Sequence, residues 1–365
     1  MGIFQQRPAL RWLAPLSLVL VVGGTGAVVT QAQANPTLPA KSADQLLVDL
    51  QNAKVGGLSG TVVQQANLGL PAIPATGGAT SEELTSLLSG SHQLRVWYAG
   101  PEKSRIAVMN SLGETDVVVN GTNVWTYVSK TNEATHRVLP NTPGPDHRPA
   151  PDATDVPKTP QQAADQVLKA VGPTTTVSTD ASVRVAGRDA YELVLAPKDT
   201  RSLIGQVRVA IDAKTSVPLR VKTLSKAGND IATVGFTAVD FATPDAAQFD
   251  FNPPAGAKVT QAPQPAAHKP TKAERKGAEK KAAAAKADTK TVGTGWTTVV
   301  VTKVPAGQAA SGQLGGVLKT LPTEKGSWGS GRVFQGTAFS AVLTDDGRLA
   351  VGAVEPGLLY DALVK

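Results

Sequence analysis

Residues 205–224, GQVRVAIDAKTSVPLRVKTL, restrict the fold more than any other stretch of the chain. Val207, Val209 and Ile211 share one face of an extended segment, with Arg208, Ala210 and Asp212 on the other. Asp212-Ala213-Lys214-Thr215 reads as a turn. Leu219 and Val221 then resume the alternation, with Arg220 and Lys222 opposite. A period of two cannot be met by a helix, and a sheet with one apolar face needs a cover.

The same pattern recurs. From His92 to Pro140, HQLRVWYA, SRIAVM, TDVVVN, NVWTYVS and THRVLP read as a meander with a hairpin at Asn120-Gly121. SVRVAG, AYELVLAP and IATVGFTAVDF extend it, and the first domain closes near FDFNPPAGAKV. Helices are few. Ser42-Ala43-Asp44-Gln45 has the spacing of a capping box, followed by Leu46, Leu47 and Leu50 on one stripe. SEELTSLL and PQQAADQVLKAVG read as two more. Many strands and few helices predict an α+β fold with one large curved antiparallel sheet.

Arg7 and Arg11 precede an uncharged stretch to about Val29, and Ala32-Gln33-Ala34 supplies a peptidase-type site before Asn35. Residues 1–34 therefore read as a signal peptide cut between Ala34 and Asn35, with an uncleaved anchor as the alternative. Either places the protein outside the cytoplasm, secreted or tethered at the outer face of the membrane. The domain reading is then 35–256, a basic Pro/Ala/Lys linker at 257–292, and a small α+β domain at 293–365, whose strands WTTVVVTKV, GRVFQG, AFSAVLT and RLAVGAV end in a helix, PGLLYDALV.

The net charge of +7 is concentrated: the linker holds nine basic residues against three acidic ones. The folded parts are close to neutral, so a nucleic-acid-binding face is not expected. The linker reads as a solvated spacer or as a contact with an anionic membrane surface. The four histidines lack metal-ligand spacing and read as solvent-exposed; with no cysteine in the chain, neither metal nor cofactor is expected. Asp345-Asp346 beside Gly347 reads as a turn, and no nucleophile or phosphate-loop motif occurs, so an enzyme is not expected.

NGTNVWTYVSKTNEATHRVLP, AYELVLAPK, IGQVRVAIDAKTSVPLRVKTL and FDFNPPAGAKV, in that order, resemble the strands of the lipoprotein-localisation carriers (LolA) and RseB-type regulators, over about residues 42–259. The resemblance implies a half-barrel with helices across its concave side, enclosing a cavity for the acyl chains of a lipid, glycolipid or lipoprotein. The layout with a second domain resembles RseB-type proteins, which bind an anti-sigma factor. On this reading the cavity wall would be Val96, Ile106, Val108, Trp125, Tyr127, Val207, Val209, Ile211, Leu219, Val221 and Phe236, with Leu46, Leu47 and Leu50 lining the lid. NVWTYV by itself reads first as ordinary core packing of its aromatics, with the cavity wall as the competing reading.

Overall fold

The computed structural model describes residues 36–69, 89–110, 113–139, 172–262, 289–304 and 320–364. The signal peptide, the helix expected at 81–88, all but Gly172 of the one expected at 160–172, and the interior of the basic linker lie outside them.

Helix α1 (Ala43–Asn52) begins as its sequence dictates. Ser42 Oγ accepts from Gln45 N at 3.2 Å while Gln45 Oε1 accepts from Ser42 N at 2.9 Å, which satisfies two donors of the first turn. The strands follow: β1 (Leu58–Asn67), β2 (Ser89–Tyr98), β3 (Lys103–Asn110), β4 (Gly113–Asn120), β5 (Asn123–Val128) and β6 (Glu133–Val138). The second half of the sheet is β7 (Thr175–Val185), β8 (Arg188–Pro197), β9 (Ile204–Asp212), β10 (Pro218–Ser225), β11 (Asp230–Asp240) and β12 (Lys258–Gln261). Together they form one sheet in the order β12-β6-β5-β4-β3-β2-β1-β11-β10-β9-β8-β7. Two meanders, β2–β6 and β7–β11, are thus joined through β1. The edge strand β7 returns to contact β11, so the sheet is strongly curled.

The expectation of a wholly antiparallel sheet fails at one edge. Strand β12 pairs with β6 in parallel, held by Lys258 Nζ–Glu133 Oε1 at 3.0 Å and Ala262 N→His136 O at 2.8 Å. The residues read as linker therefore carry strands at both ends, since β13 (Thr289–Val292) opens a second sheet. That sheet adds β14 (Val299–Lys303), β15 (Thr323–Gly326), β16 (Gly329–Gln335), β17 (Ser340–Thr344) and β18 (Arg348–Gly352), in the order β13-β14-β18-β17-β16-β15.

Helix α2 (Pro356–Val364) covers one face of the second sheet. Leu359, Ala362 and Leu363 pack on Val299, Val301, Val333, Val342 and Ala350. Arg348 ties the parts together. It pairs with Asp346 at 2.8 Å, donates to Trp328 O at 2.9 Å, and donates to Leu363 O at 2.7 Å, a cation at the helix C-terminus. Asp345 and Asp346 are structural, as the turn reading requires: Ser330 Oγ donates to Asp345, and Arg348 draws the pKa of the Asp346 carboxyl down to about 2.

Candidate functional site

Cross-strand pairing sorts side chains onto faces without ambiguity, because directly opposed residues point the same way. On the face that carries α1, Leu195 opposes Val207, Leu193 opposes Val209 and Tyr191 opposes Ile211. Val209 opposes Val221, and Val221 opposes Val234. The row continues through Phe236–Val62, Val62–Leu94, Leu94–Val108 and Val96–Ile106. One apolar surface therefore crosses β8, β9, β10, β11, β1, β2 and β3.

At one end of this surface Leu46 and Leu47 of α1 close a core with Leu193, Val209 and Ile211. Leu50, on the same helical stripe, is half-buried. At the other end Val62, Leu94 and Val108 form a second cluster with Val96, Val234 and Phe236 around it. Ile106, beyond that cluster, is 39% exposed. Gly60 is needed here: a Cβ would lie 2.9 Å from the Phe236 ring and 2.5 Å from Ala238 O, so the ring rests on bare backbone.

One polar pair interrupts the apolar row. Gln64 and His92 oppose each other across β1 and β2, 1% and 7% exposed. Burial lowers the His92 pKa to about 4, so the ring is neutral at neutral pH. His92 thus departs from the expectation that the histidines are solvent-exposed; its place inside β2, two residues before Leu94, buries it. Among the described residues no group of His, Asp and Glu could hold a metal ion.

Three of the expected wall residues lie elsewhere. Trp125 opposes Val118, which opposes Arg105, and Tyr127 opposes Asp116; all belong to the face turned away from α1. There Trp125 stacks on His136 at 4.2 Å, and Phe251 lies 5.3 Å from Trp125 and 5.8 Å from Tyr127. With Phe249, buried beside β3 and β4, the chain at 246–251 makes a small core on that side. Leu219 is displaced by a bulge: Pro218 opposes Ile211 but Arg220 already opposes Ala210. Leu219 clusters with Val185, Ala190 and Ala210, while Val221 keeps to the α1 side. Phe236 packs with the Leu219 group and with the Val62, Leu94 and Val108 cluster.

The face opposite α1 is also ionic. Glu192 receives Arg208 at 2.5 Å and Arg220 at 3.1 Å, and Asp180 receives Arg208 at 2.8 Å. Asp212 is 2% exposed and is gripped by Arg188 at 2.6 and 2.8 Å. Its Oδ2 also accepts from Thr215 N at 2.7 Å and Thr215 Oγ1 at 2.8 Å, closing the 213–215 turn. Burial pushes this carboxyl up, but Arg188 and Thr215 outweigh it and hold it below the ordinary range. These charges are mutually satisfied.

Sequence reasoning missed Val62, Leu94, Val234, Tyr191, Leu193 and Leu195 as members of the row. The alternation in GTVVQQA and HQLRVWY carried the signal for the first two.

Residues 157–262 match the model of the MucB/RseB N-terminal domain. Among solved structures, the MucA/MucB complex of Pseudomonas aeruginosa is 15% identical over 88% of this chain and 97% of that one, with a TM-score of 0.44. A conserved protein from Thermus thermophilus is 15% identical over 60% and 99%, TM-score 0.33. A LolA superfamily protein from Nitrosomonas europaea is 10% identical over 58% and 99%, TM-score 0.22. No curated protein sequence matches the chain.

Proposed function

We propose that the protein is a non-enzymatic extracytoplasmic carrier that holds the acyl chains of a lipid, glycolipid or lipoprotein against the α1 face of its large sheet. The observation that carries this reading is the apolar row from Leu195 to Ile106, which ends in the 39% exposed Ile106. Carrying an acyl chain of roughly fifteen methylenes through water costs about 12 kcal/mol at about 0.8 kcal/mol each, and a wall of Val, Leu, Ile and Phe offsets most of it without directional bonds. Such a wall suits ligands whose tails vary.

Organic extracts of the purified mature protein, read by mass spectrometry, test the idea. Lipid above a mock-purified control, together with uptake of a fluorescent fatty acid, is the expected result. Neither one appearing removes the reading.

A second reading rests on the match of residues 157–262 to the MucB/RseB N-terminal domain and on the appended second sheet. In it the protein is a sensor that docks on the extracytoplasmic part of a membrane-bound anti-sigma factor. A pull-down that recovers a single-span regulator favours the sensor. Unchanged stress transcription in a deletion strain favours the carrier. In either role the basic segment 257–292 would hold the protein near an anionic membrane, and salt-dependent binding to anionic vesicles checks this.

A further inference from the structure

The two sheets meet end to end. On the large sheet the contacts come from Leu68 after β1, Thr175 at the start of β7, Ser202 and Leu203 before β9, and Lys226 after β10. Antiparallel alternation puts all of these at one end of the sheet. On the small sheet they come from Trp296 before β14, Thr337 between β16 and β17, and Ala353, Val354 and Glu355 after β18, again one end.

Among the described residues the joint is made mostly of polar contacts. Leu203 N donates to Ala353 O at 2.9 Å, with Ser202 and Val354 forming an isolated antiparallel bridge. Thr337 N donates to Leu68 O at 3.1 Å, and Trp296 Nε1 donates to Thr175 Oγ1 at 2.8 Å. Lys226 and Glu355 add a long ion pair at 3.7 Å between exposed side chains. Gly295, at φ 58°, brings the chain close against Thr174, where a Cβ would lie 2.5 Å from its hydroxyl. Interfaces of this kind open readily, unlike large apolar ones.

Of the pinned strands, β1, β9 and β10 carry part of the apolar row and β7 packs beside it. Val177, two residues past Thr175, packs in the α1 core, and β9, which follows Leu203, supplies Val207, Val209 and Ile211. The small sheet has an apolar row of its own on the face away from α2: Val300, Val351, Ala341 and Phe334 oppose one another across four strands. Phe334 and Val351 stand within three residues of the pinned Thr337 and Ala353.

We infer that the second sheet is a gate: it closes one end of the apolar row, and it must part from the β1, β7 and β9 ends for an acyl chain to enter or leave. This rests on the carrier reading and adds the route and its control. The end-to-end arrangement makes docking of the small sheet and occupancy of the row coupled equilibria, so each ligand-bound state biases the joint and the joint biases exchange.

The chain has no cysteine, so an introduced pair reports on the joint alone. Bridge partners lie within disulfide range, and Ser202→Cys with Val354→Cys locks the two sheets. In the oxidised full-length protein the association rate of a fluorescent long-chain fatty acid should fall at least about tenfold and recover on reduction. Trp296→Phe, which keeps the ring and removes the donor to Thr175, should raise the rate about threefold. Equal rates in the oxidised, reduced and Trp296→Phe forms, each binding the probe at equilibrium, overturn the gate and leave the carrier. Wild type that takes up no probe overturns the carrier reading, and the gate with it.

Discussion

His92 is a buried group whose protonation is tied to folding. Burial lowers its pKa to about 4 from the usual 6.5, so the folded ring resists a proton that the unfolded chain accepts. The contribution of the His92 ring to stability is therefore fully present above pH 6.5 and is lost as pH drops toward 4, about 3 kcal/mol over that window. Urea denaturation at pH 7 and pH 4.5 measures it, and His92→Gln should remove this part of the slope. Asp212 behaves in the opposite structural sense. It is a buried carboxylate that needs its charge, so Asp212→Ala should cost about 3–5 kcal/mol by stranding Arg188 and freeing the 213–215 turn. The turn at Asp212–Thr215 was legible from residue types alone. The Arg188 grip was not, since residue 188 is twenty-four positions away in sequence and meets Asp212 only when β8 pairs with β9.

At the scale of the element, α1 shows how local signals translate into stability. Ser42→Ala removes one arm of the capping box and should cost about 1 kcal/mol, whereas Leu46→Ala empties a fully buried position and should cost about 2–5 kcal/mol. Thermal denaturation separates the two. Both the cap and the stripe could be read from the sequence because a helix writes its start and its buried face within a few residues. Strands write only their alternation. The parity of Val207, Val209 and Ile211 is plain in the sequence, but it cannot be carried through the Pro218–Arg220 bulge, so Leu219 and Val221 part company. The same limit misplaced Trp125 and Tyr127. Their face depends on the Asn120–Asn123 pairing around Gly121, at φ 59°, where a shift of one residue would turn both rings toward α1. Asn120-Gly121 announced the hairpin but not its register.

For the whole molecule, the curled sheet has two unlike faces, and the functional proposal belongs to only one of them. Strand β3 offers an internal comparison. Ile106 and Met109 are exposed almost equally, 39% and 38%, yet Ile106 opposes Val96 on the α1 side whereas Met109 opposes Gln93 on the other. A lysine at either position places a charge on a half-exposed strand residue, so the cost to folding should be alike. The cost to binding should not be. A cation set in the apolar wall must be desolvated when a hydrocarbon chain lies over it, and Ile106→Lys should weaken binding of a fluorescent fatty acid at least about tenfold. Met109→Lys should leave the affinity within about twofold of wild type, because its side chain meets water on the far face. Titrations of both variants, with circular dichroism to show that each is folded, decide the matter. Equal loss in the two would mean that stability and not the wall was being measured. Equal retention would place the acyl chain somewhere other than the face shared by Val62, Leu94, Val108 and Phe236.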